Sequence, residues 1–395
     1  MRLAKRVSDM TGGGPDGWAI YYQARAMAEA GQPVTNLTIG EHDVRTDPAI
    51  LDAMHRSARA GNTGYTFGAG KPALRAAVAE RVELRTGVRT GPENVIITPG
   101  GQAGLFASHM VLCDAGDRAL FIDPYYATYP GTIRATGAEA VPVPTRSADA
   151  FQPTAEVLDA HLPGARTLLI NTPNNPTGVV WSRPTLERVA DAVTRHGTWL
   201  ISDEVYDTQI WEGEHLSPRA LPGMAERTVV IGSMSKSHAM TGSRLGWVVA
   251  PAEVVTAITT LATSTTYGVA PFIQDAALFA LQQGGAFESA IAEPFRRRRD
   301  IAMRVLGGPN PGLRLIPASG AMYLMLDIRA TGLSGNAFAE RLLAEEAIAV
   351  MPGESFGAAA AGHLRVAMTI EDNAFEDALV RIAAFAGRVV QEPAL

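Results

Sequence analysis

Ser233-Met234-Ser235-Lys236-Ser237-His238-Ala239-Met240-Thr241-Gly242-Ser243-Arg244-Leu245-Gly246 sets one lysine between small hydroxyl residues, directly after the apolar run Thr228-Val229-Val230-Ile231-Gly232. Such a run reads as a buried strand that delivers the lysine at its end. Arg244 follows eight positions on, behind a glycine. A lysine amine condenses with an aldehyde when its surroundings favour the neutral form. Ser233, Ser235 and Arg244 together suit a phosphate, the arginine through a bidentate, charge-assisted contact. An aldehyde that carries a phosphate describes pyridoxal 5′-phosphate. Lys236 is one of 34 lysines and arginines, most of which belong on a solvated surface, so the reading turns on its neighbours.

Working outward, short apolar runs alternate with helical patterns from about residue 90 to 250. Residues 94–98, 119–122, 167–170, 199–201, 229–231 and 247–249 read as buried strands. Between two of them, Ser182 and Pro184 open a helix whose Leu186, Val189, Ala190 and Val193 share one face, and His196-Gly197 closes it. This alternation predicts an α/β fold with a mainly parallel sheet between helices. Ligands of such sheets collect at the carboxyl ends of the strands, where Asp203, Asn171–Gly178 and Lys236 fall. After about residue 285 longer helical stretches surround a few strands such as 321–326, predicting a smaller α+β domain that residues 1–45 join. The expected division is thus 46–285 against 1–45 plus 286–395.

Composition narrows the function classes. A chain of 395 residues with 47% apolar content supports a large core. Its net charge of −6 gives no general reason to bind nucleic acid. Arg296-Arg297-Arg298-Arg299 reads as the wet face of a helix. Cys113 is the only cysteine, which excludes an intramolecular disulfide and fits a cytoplasmic setting. No signal core or membrane-spanning run appears, and no metal site is expected.

Other residues supply the remaining jobs of a phosphate-bearing aldehyde cofactor. Asp203 emerges from an apolar strand, where a carboxylate is costly unless paired; a pyridinium nitrogen would pair it, and a helix N-cap is the bland alternative. Tyr206 lies three positions on, within reach of the same ring or simply packed. Thr98-Pro99-Gly100-Gly101-Gln102 follows a strand and opens a helix, a backbone arrangement that binds anions. Tyr125-Tyr126 offers an aromatic face. Asn171-Thr172-Pro173-Asn174-Asn175-Pro176-Thr177-Gly178 is by local signals a rigid loop. Arg365 alternates with apolar neighbours, either an inward guanidinium awaiting a carboxylate or a surface arginine.

In order and spacing these segments resemble the class I/II aminotransferases of the fold-type I pyridoxal-phosphate superfamily over essentially the full length. The Lys236 segment is similar to that family's Ser-x-Ser-Lys-x-x-x-x-x-Gly-x-Arg-x-Gly signature, Asn175–Gly178 to its Asn-Pro-Thr-Gly turn, and Tyr65–Gly70 to its tyrosine-plus-glycine segment. The resemblance implies that Lys236 condenses with the cofactor, Asp203 pairs with the pyridinium, and Asn175 and Tyr206 bind the phenolic oxygen. Gly101, Gln102, Ser233, Ser235 and Arg244 would hold the phosphate, Tyr126 would stack on the ring, and Gly40, Asn175 and Arg365 would take the substrate carboxylate. Tyr65 would reach the phosphate of a neighbouring subunit, which implies a homodimer, and the Asn175–Pro176 bond is expected to be cis. The family's Gly-Glu-Pro-Asp-Phe appears here as Gly40-Glu41-His42-Asp43-Val44. Gln102 stands where dicarboxylate-specific relatives often carry lysine, so neutral or aromatic amino donors are expected over aspartate, and Trp18 and Tyr21 suggest an apolar or aromatic side-chain pocket. The implied activity is ping-pong transamination between an L-amino acid and a 2-oxo acid. A carbon–sulfur β-lyase is the alternative within the fold. A regulator built on the same domain would need a DNA-binding module, for which no stretch before Gly40 is long enough.

Overall fold

The computed structural model describes residues 3–12, 17–66 and 68–392. Phe67 of the tyrosine-plus-glycine segment lies outside the described residues, as do 1–2, 13–16 and 393–395 of the expected small domain. In chain order the strands are β1 (Thr35–Asn36), β2 (Val95–Thr98), β3 (Arg118–Asp123), β4 (Glu139–Pro144), β5 (Ala165–Asn171), β6 (Trp199–Asp203), β7 (Thr228–Ser233), β8 (Gly246–Val249), β9 (Arg314–Ile316), β10 (Tyr323–Asp327), β11 (Ile348–Ala349), β12 (Met351–Pro352) and β13 (His363–Ala367). β2 to β8 form one sheet in the order β2-β8-β7-β6-β5-β3-β4, in which only β8 runs against its neighbours. Every residue of β2, β7 and β8 is buried, which is why these strands read as unbroken apolar runs.

β4 escaped the sequence reading, because Pro142 and Pro144 argue against a strand. It pairs with β3 alone, at the sheet edge, where a missing N–H breaks no second ladder. The helix expected after Ser182 spans Arg183–His196, buries the four apolar residues named for it, and stops at left-handed Gly197 (φ 65°). Ser182 corrects one detail. Its hydroxyl turns to Thr185 Oγ1 (3.0 Å) and Gln152 Oε1 (3.4 Å) rather than capping the helix backbone.

The arginine run is a larger correction. Four consecutive residues sweep about 300° around a helix, so a packed helix cannot leave them all wet. Within the helix Ala286–Leu306, Arg298 is only 3% exposed. Its Nη1 and Nη2 donate to the Asp43 carboxylate (2.9 and 2.6 Å), and its Nε to Asp372 (2.9 Å). Arg296 donates to Ile210 O and Arg299 to Ala318 O. Arg298 thus ties Asp43 of the N-terminal segment to Asp372 of the C-terminal one.

β12, β13, β10 and β9 form an antiparallel sheet, and β1 pairs in parallel with β11. We propose that 46–285 form the large domain and that 1–45 join 286–395 in the small one. One hydrophobic cluster supports this by gathering Ile20, Ala24 and Leu37 with Phe295, Phe338, Phe375 and Phe385. The same cluster takes in Tyr206 and Trp211, so the two units meet beside the ends of the large sheet. Among the described residues no helix is long and apolar enough to cross a membrane.

Candidate active site

The carboxyl ends of β5, β6 and β7 and the start of the helix Gly101–Leu112 open onto a cavity of about 360 Å³. Gly40, Gly101, Gln102, Tyr126, Asn175, Asp203, Tyr206, Ser233, Ser235, Lys236, Arg244 and Arg365 all line it. Of the residues that the resemblance assigns to cofactor or substrate, Tyr65 lies elsewhere. It is 78% exposed and stacks on Tyr267 with ring centroids 5.3 Å apart. Trp18 lines the cavity, whereas Tyr21 packs instead against the Phe151, Met325 and Phe356 cluster.

Buried β7 ends at Ser233, whose Oγ accepts from Ser235 N at 3.1 Å and opens the one-turn helix Met234–Ser237. Lys236 stands on that turn with its amine inside the cavity, donating to Gly40 O. Burial lowers its pKa, which favours the neutral amine. A side chain at Gly40 would run into Tyr323, because a Cβ there would lie 1.8 Å from the phenol oxygen.

Asp203 ends β6 and is 5% exposed. It accepts from Tyr129 OH (2.7 Å) and Val205 N (3.3 Å) and has no cationic partner among the described residues. Burial raises its pKa to about 6, against the Tyr129 hydrogen bond. A carboxylate in that position gains from any cation brought to it. Asn175 follows β5 in the turn that contains the expected cis Asn175–Pro176 bond, alongside cis Thr172–Pro173. Its Oδ1 accepts from Arg365 Nη1 at 3.0 Å.

Arg365, in the middle of β13, is 1% exposed. Its guanidinium lies over the rings of Tyr323 (4.5 Å) and Phe356 (4.3 Å), donates to Thr38 O, and leaves Nε without a partner. The acceptors of this buried cation are carbonyl oxygens, and no carboxylate among the described residues pairs with it. The cavity therefore carries an unpaired buried cation and an unpaired buried carboxylate, with a neutral-leaning amine also on its wall. Such a set receives a small molecule with an anionic group and a basic ring.

The profile of the family described as aminotransferase class I and II matches residues 32–382. This chain is a class I/II aminotransferase. It is 41% identical to an arginine–pyruvate transaminase of Pseudomonas aeruginosa over 99% of both chains. An aspartate/prephenate aminotransferase of Thermus thermophilus is 35% identical over 94% of this chain and 95% of the relative. The crystal structure of Thermus thermophilus aspartate aminotransferase with maleate superimposes with a TM-score of 0.91 at 34% identity, covering 98% of this chain and all of that one.

Aminotransferases of this family depend on pyridoxal 5′-phosphate. The residues present fit that group at both ends. Asp203, a buried carboxylate with no cationic partner among the described residues, would suit its ring nitrogen. At the other end, Gly100 (φ 82°) leaves room for Arg244, whose Nη2 would sit 2.2 Å from a Cβ on residue 100. That approach brings a guanidinium to the first turn of the Gly101–Leu112 helix beside Ser233 and Ser235, a setting for a phosphate. Two of this aminotransferase's cavity residues had no sequence signal. Tyr129 opens the helix Tyr129–Thr136 between Thr128 and Pro130, and Tyr323 opens an apolar strand, so neither stands out locally as a site residue. Tyr323 OH lies 3.2 Å from Tyr206 OH.

Proposed function

We propose that this aminotransferase transfers the amino group of a neutral or aromatic L-amino acid, in preference to aspartate, to a 2-oxo acid in a ping-pong cycle. Arg365 carries the reading. A buried guanidinium flanked by rings and carbonyl oxygens gains a bidentate partner when a substrate carboxylate arrives, and Gly40 leaves the space beside it open. Bound pyridoxal phosphate supplies an aldehyde to carry the amino group and an electron-poor ring to store electrons. Lys236 takes the donor's α-proton with the neutral amine that burial favours. Asp203 keeps the ring nitrogen charged, Asn175 and Tyr206 bind the phenolic oxygen, and Tyr126 covers the ring face. Gly101, Gln102, Ser233, Ser235 and Arg244 hold the phosphate.

The preference against aspartate is supported by Gln102. Its amide donates to Thr132 Oγ1 and accepts from Thr128 Oγ1 (3.1 Å), so it is tied back rather than offered to a distal carboxylate. The Pseudomonas relative is named for arginine and pyruvate, which supports a monocarboxylate acceptor such as pyruvate. Tyr65, exposed and outside its own cavity, is proposed to reach the phosphate of a second copy in a homodimer.

The test is single-turnover reaction of the loaded enzyme with leucine, phenylalanine, arginine and aspartate, read by cofactor absorbance and 2-oxo acid release. Leucine or phenylalanine should outrun aspartate, and Gln102→Lys should narrow the gap by about tenfold, the scale of one added charge contact. Aspartate as the fastest donor would overturn the preference. Sedimentation of the same protein as a monomer would remove the role given to Tyr65.

A further inference from the structure

The Gly40-Glu41-His42-Asp43 segment replaces the proline of the family's Gly-Glu-Pro-Asp pattern with histidine, and that histidine touches the catalytic turn. His42 is 6% exposed, its Nε2 lies 2.9 Å from the main-chain oxygen of Lys236, and its ring meets Phe295 edge-on at 5.3 Å. A carbonyl only accepts, so Nε2 carries the hydrogen. Nδ1 is then a bare acceptor, buried with no hydrogen-bond partner. Burial, reinforced by the charge of Lys236, lowers the ring's pKa to about 3 and keeps it neutral. A residue kept only to fill this space would be apolar, since an orphaned buried nitrogen is unfavourable. What the imidazole contributes is its N–H to Lys236.

Lys236 needs such a contact. It lies on a single helical turn, Met234–Ser237, too short to provide its own carbonyl at 236 with an intrahelical donor. The surrounding segment is itself fastened. Arg298 clasps Asp43, and Thr46 Oγ1 donates to Ala239 O at 2.6 Å. Residues 40–46 therefore hold Lys236 at two points, the amine through Gly40 O and the backbone through His42. The first contact must break whenever the amine works, while the second can persist. We propose that His42 is a positioning residue that fixes the main-chain pivot from which the Lys236 amine swings between Gly40 and substrate.

The inference rests on Lys236 as the working amine, so Lys236→Ala is measured beside two variants of His42. His42→Phe keeps the ring and its packing on Phe295 but removes the N–H. His42→Gln places an amide nitrogen near the Nε2 position. In the loaded enzyme with its best donor, His42→Phe should lower kcat about tenfold or more while KM stays within about threefold, and His42→Gln should recover most of the rate. In the cofactor-free protein, backbone hydrogen exchange across 234–241 should quicken in His42→Phe and stay native-like in His42→Gln, with both melting temperatures close to the native value. A His42→Phe enzyme with unaltered kcat, a His42→Gln enzyme as slow as His42→Phe, or unchanged exchange would each overturn the proposal. An active Lys236→Ala enzyme would instead overturn the reading of Lys236, and an inactive one beside an unimpaired His42→Phe removes only the role of His42.

Discussion

Asp203 and Asp207 stand four residues apart on one turn and meet opposite treatment. Asp203 faces the active-site cavity with a phenol and one backbone N–H as donors and no cation. Asp207 faces a second cavity, also of about 360 Å³, where Arg81 (3.0 Å) and Arg85 both reach it. The same arginines bind Glu288, and neighbouring Glu204 is held by Ser217 Oγ (2.7 Å) and His215 Nε2 (3.0 Å). Burial alone would raise the Asp207 pKa, but the two guanidiniums outweigh it and hold the carboxyl low. At Asp203 burial wins and the pKa rises to about 6. Volume does not separate the two cavities, whereas charge pairing does. Acids and bases close on each other behind the turn and stay open in front of it. Paired charge there holds structure, and unpaired charge waits for a ligand.

Three substitutions sharpen or break that contrast. The largest effect is expected at Arg365. Arg365→Met should cut kcat/KM by roughly 10²- to 10³-fold through loss of the substrate carboxylate's partner. Thermal melting of the same variant should fall only modestly, because the lost hydrogen bonds to Asn175 Oδ1 and Thr38 O are offset by removal of a buried charge that has no carboxylate partner. A variant that melts early and keeps its kcat/KM would make Arg365 a structural arginine.

Asp203→Asn should lower kcat by about 100-fold, the scale of one charged hydrogen bond. It should also flatten the pH dependence of stability in the cofactor-free protein. Asp203 takes its proton more tightly when folded, so the unfolded chain gives up that proton first as pH rises from 3.8 to about 6. Its stability contribution is therefore lost across that window, and the asparagine protein should overtake the native one above it. Melting curves at pH 4 and pH 8 check the sign; a native protein that gains on the variant with rising pH would show that Asp203 is paired after all.

The smallest catalytic effect is expected behind the turn. Asp207→Asn should cost about 1–2 kcal/mol in denaturant unfolding, because Arg81 and Arg85 each lose one of two carboxylate partners and keep Glu288. Its transamination rate should stay within about threefold, since Asp207 touches no reacting group. A rate loss as deep as that of Asp203→Asn with unchanged stability would erase the distinction between the two sides.

The parts of this arrangement that local sequence could reveal are those written in one stretch. Unbroken apolar runs marked β2, β7 and β8 because both faces of the sheet are covered, and the serine–lysine–arginine spacing marked one wall of the cavity because those residues lie at and beyond the end of one strand. The same local view hid features that depend on distant partners. Arg298 reads as surface until Asp43 and Asp372 arrive from the two ends of the chain. Tyr129 goes unnoticed because nothing near it announces Asp203, 74 residues away. The second cavity's ion pairs were likewise invisible, since Arg81 and Glu288 lie 207 residues apart.

The reach of Arg365 back to Thr38 also orders events in time. The two residues are 327 positions apart. At ribosomal speeds of about 5–20 residues per second, Thr38 emerges roughly 16–65 s before the guanidinium that will rest on its carbonyl. Asp203 and Lys236 are already made in that interval, so under the roles proposed above the residues for the cofactor precede the one for the substrate carboxylate. The contact between Arg365 and Thr38 therefore closes only after nearly the whole chain is made.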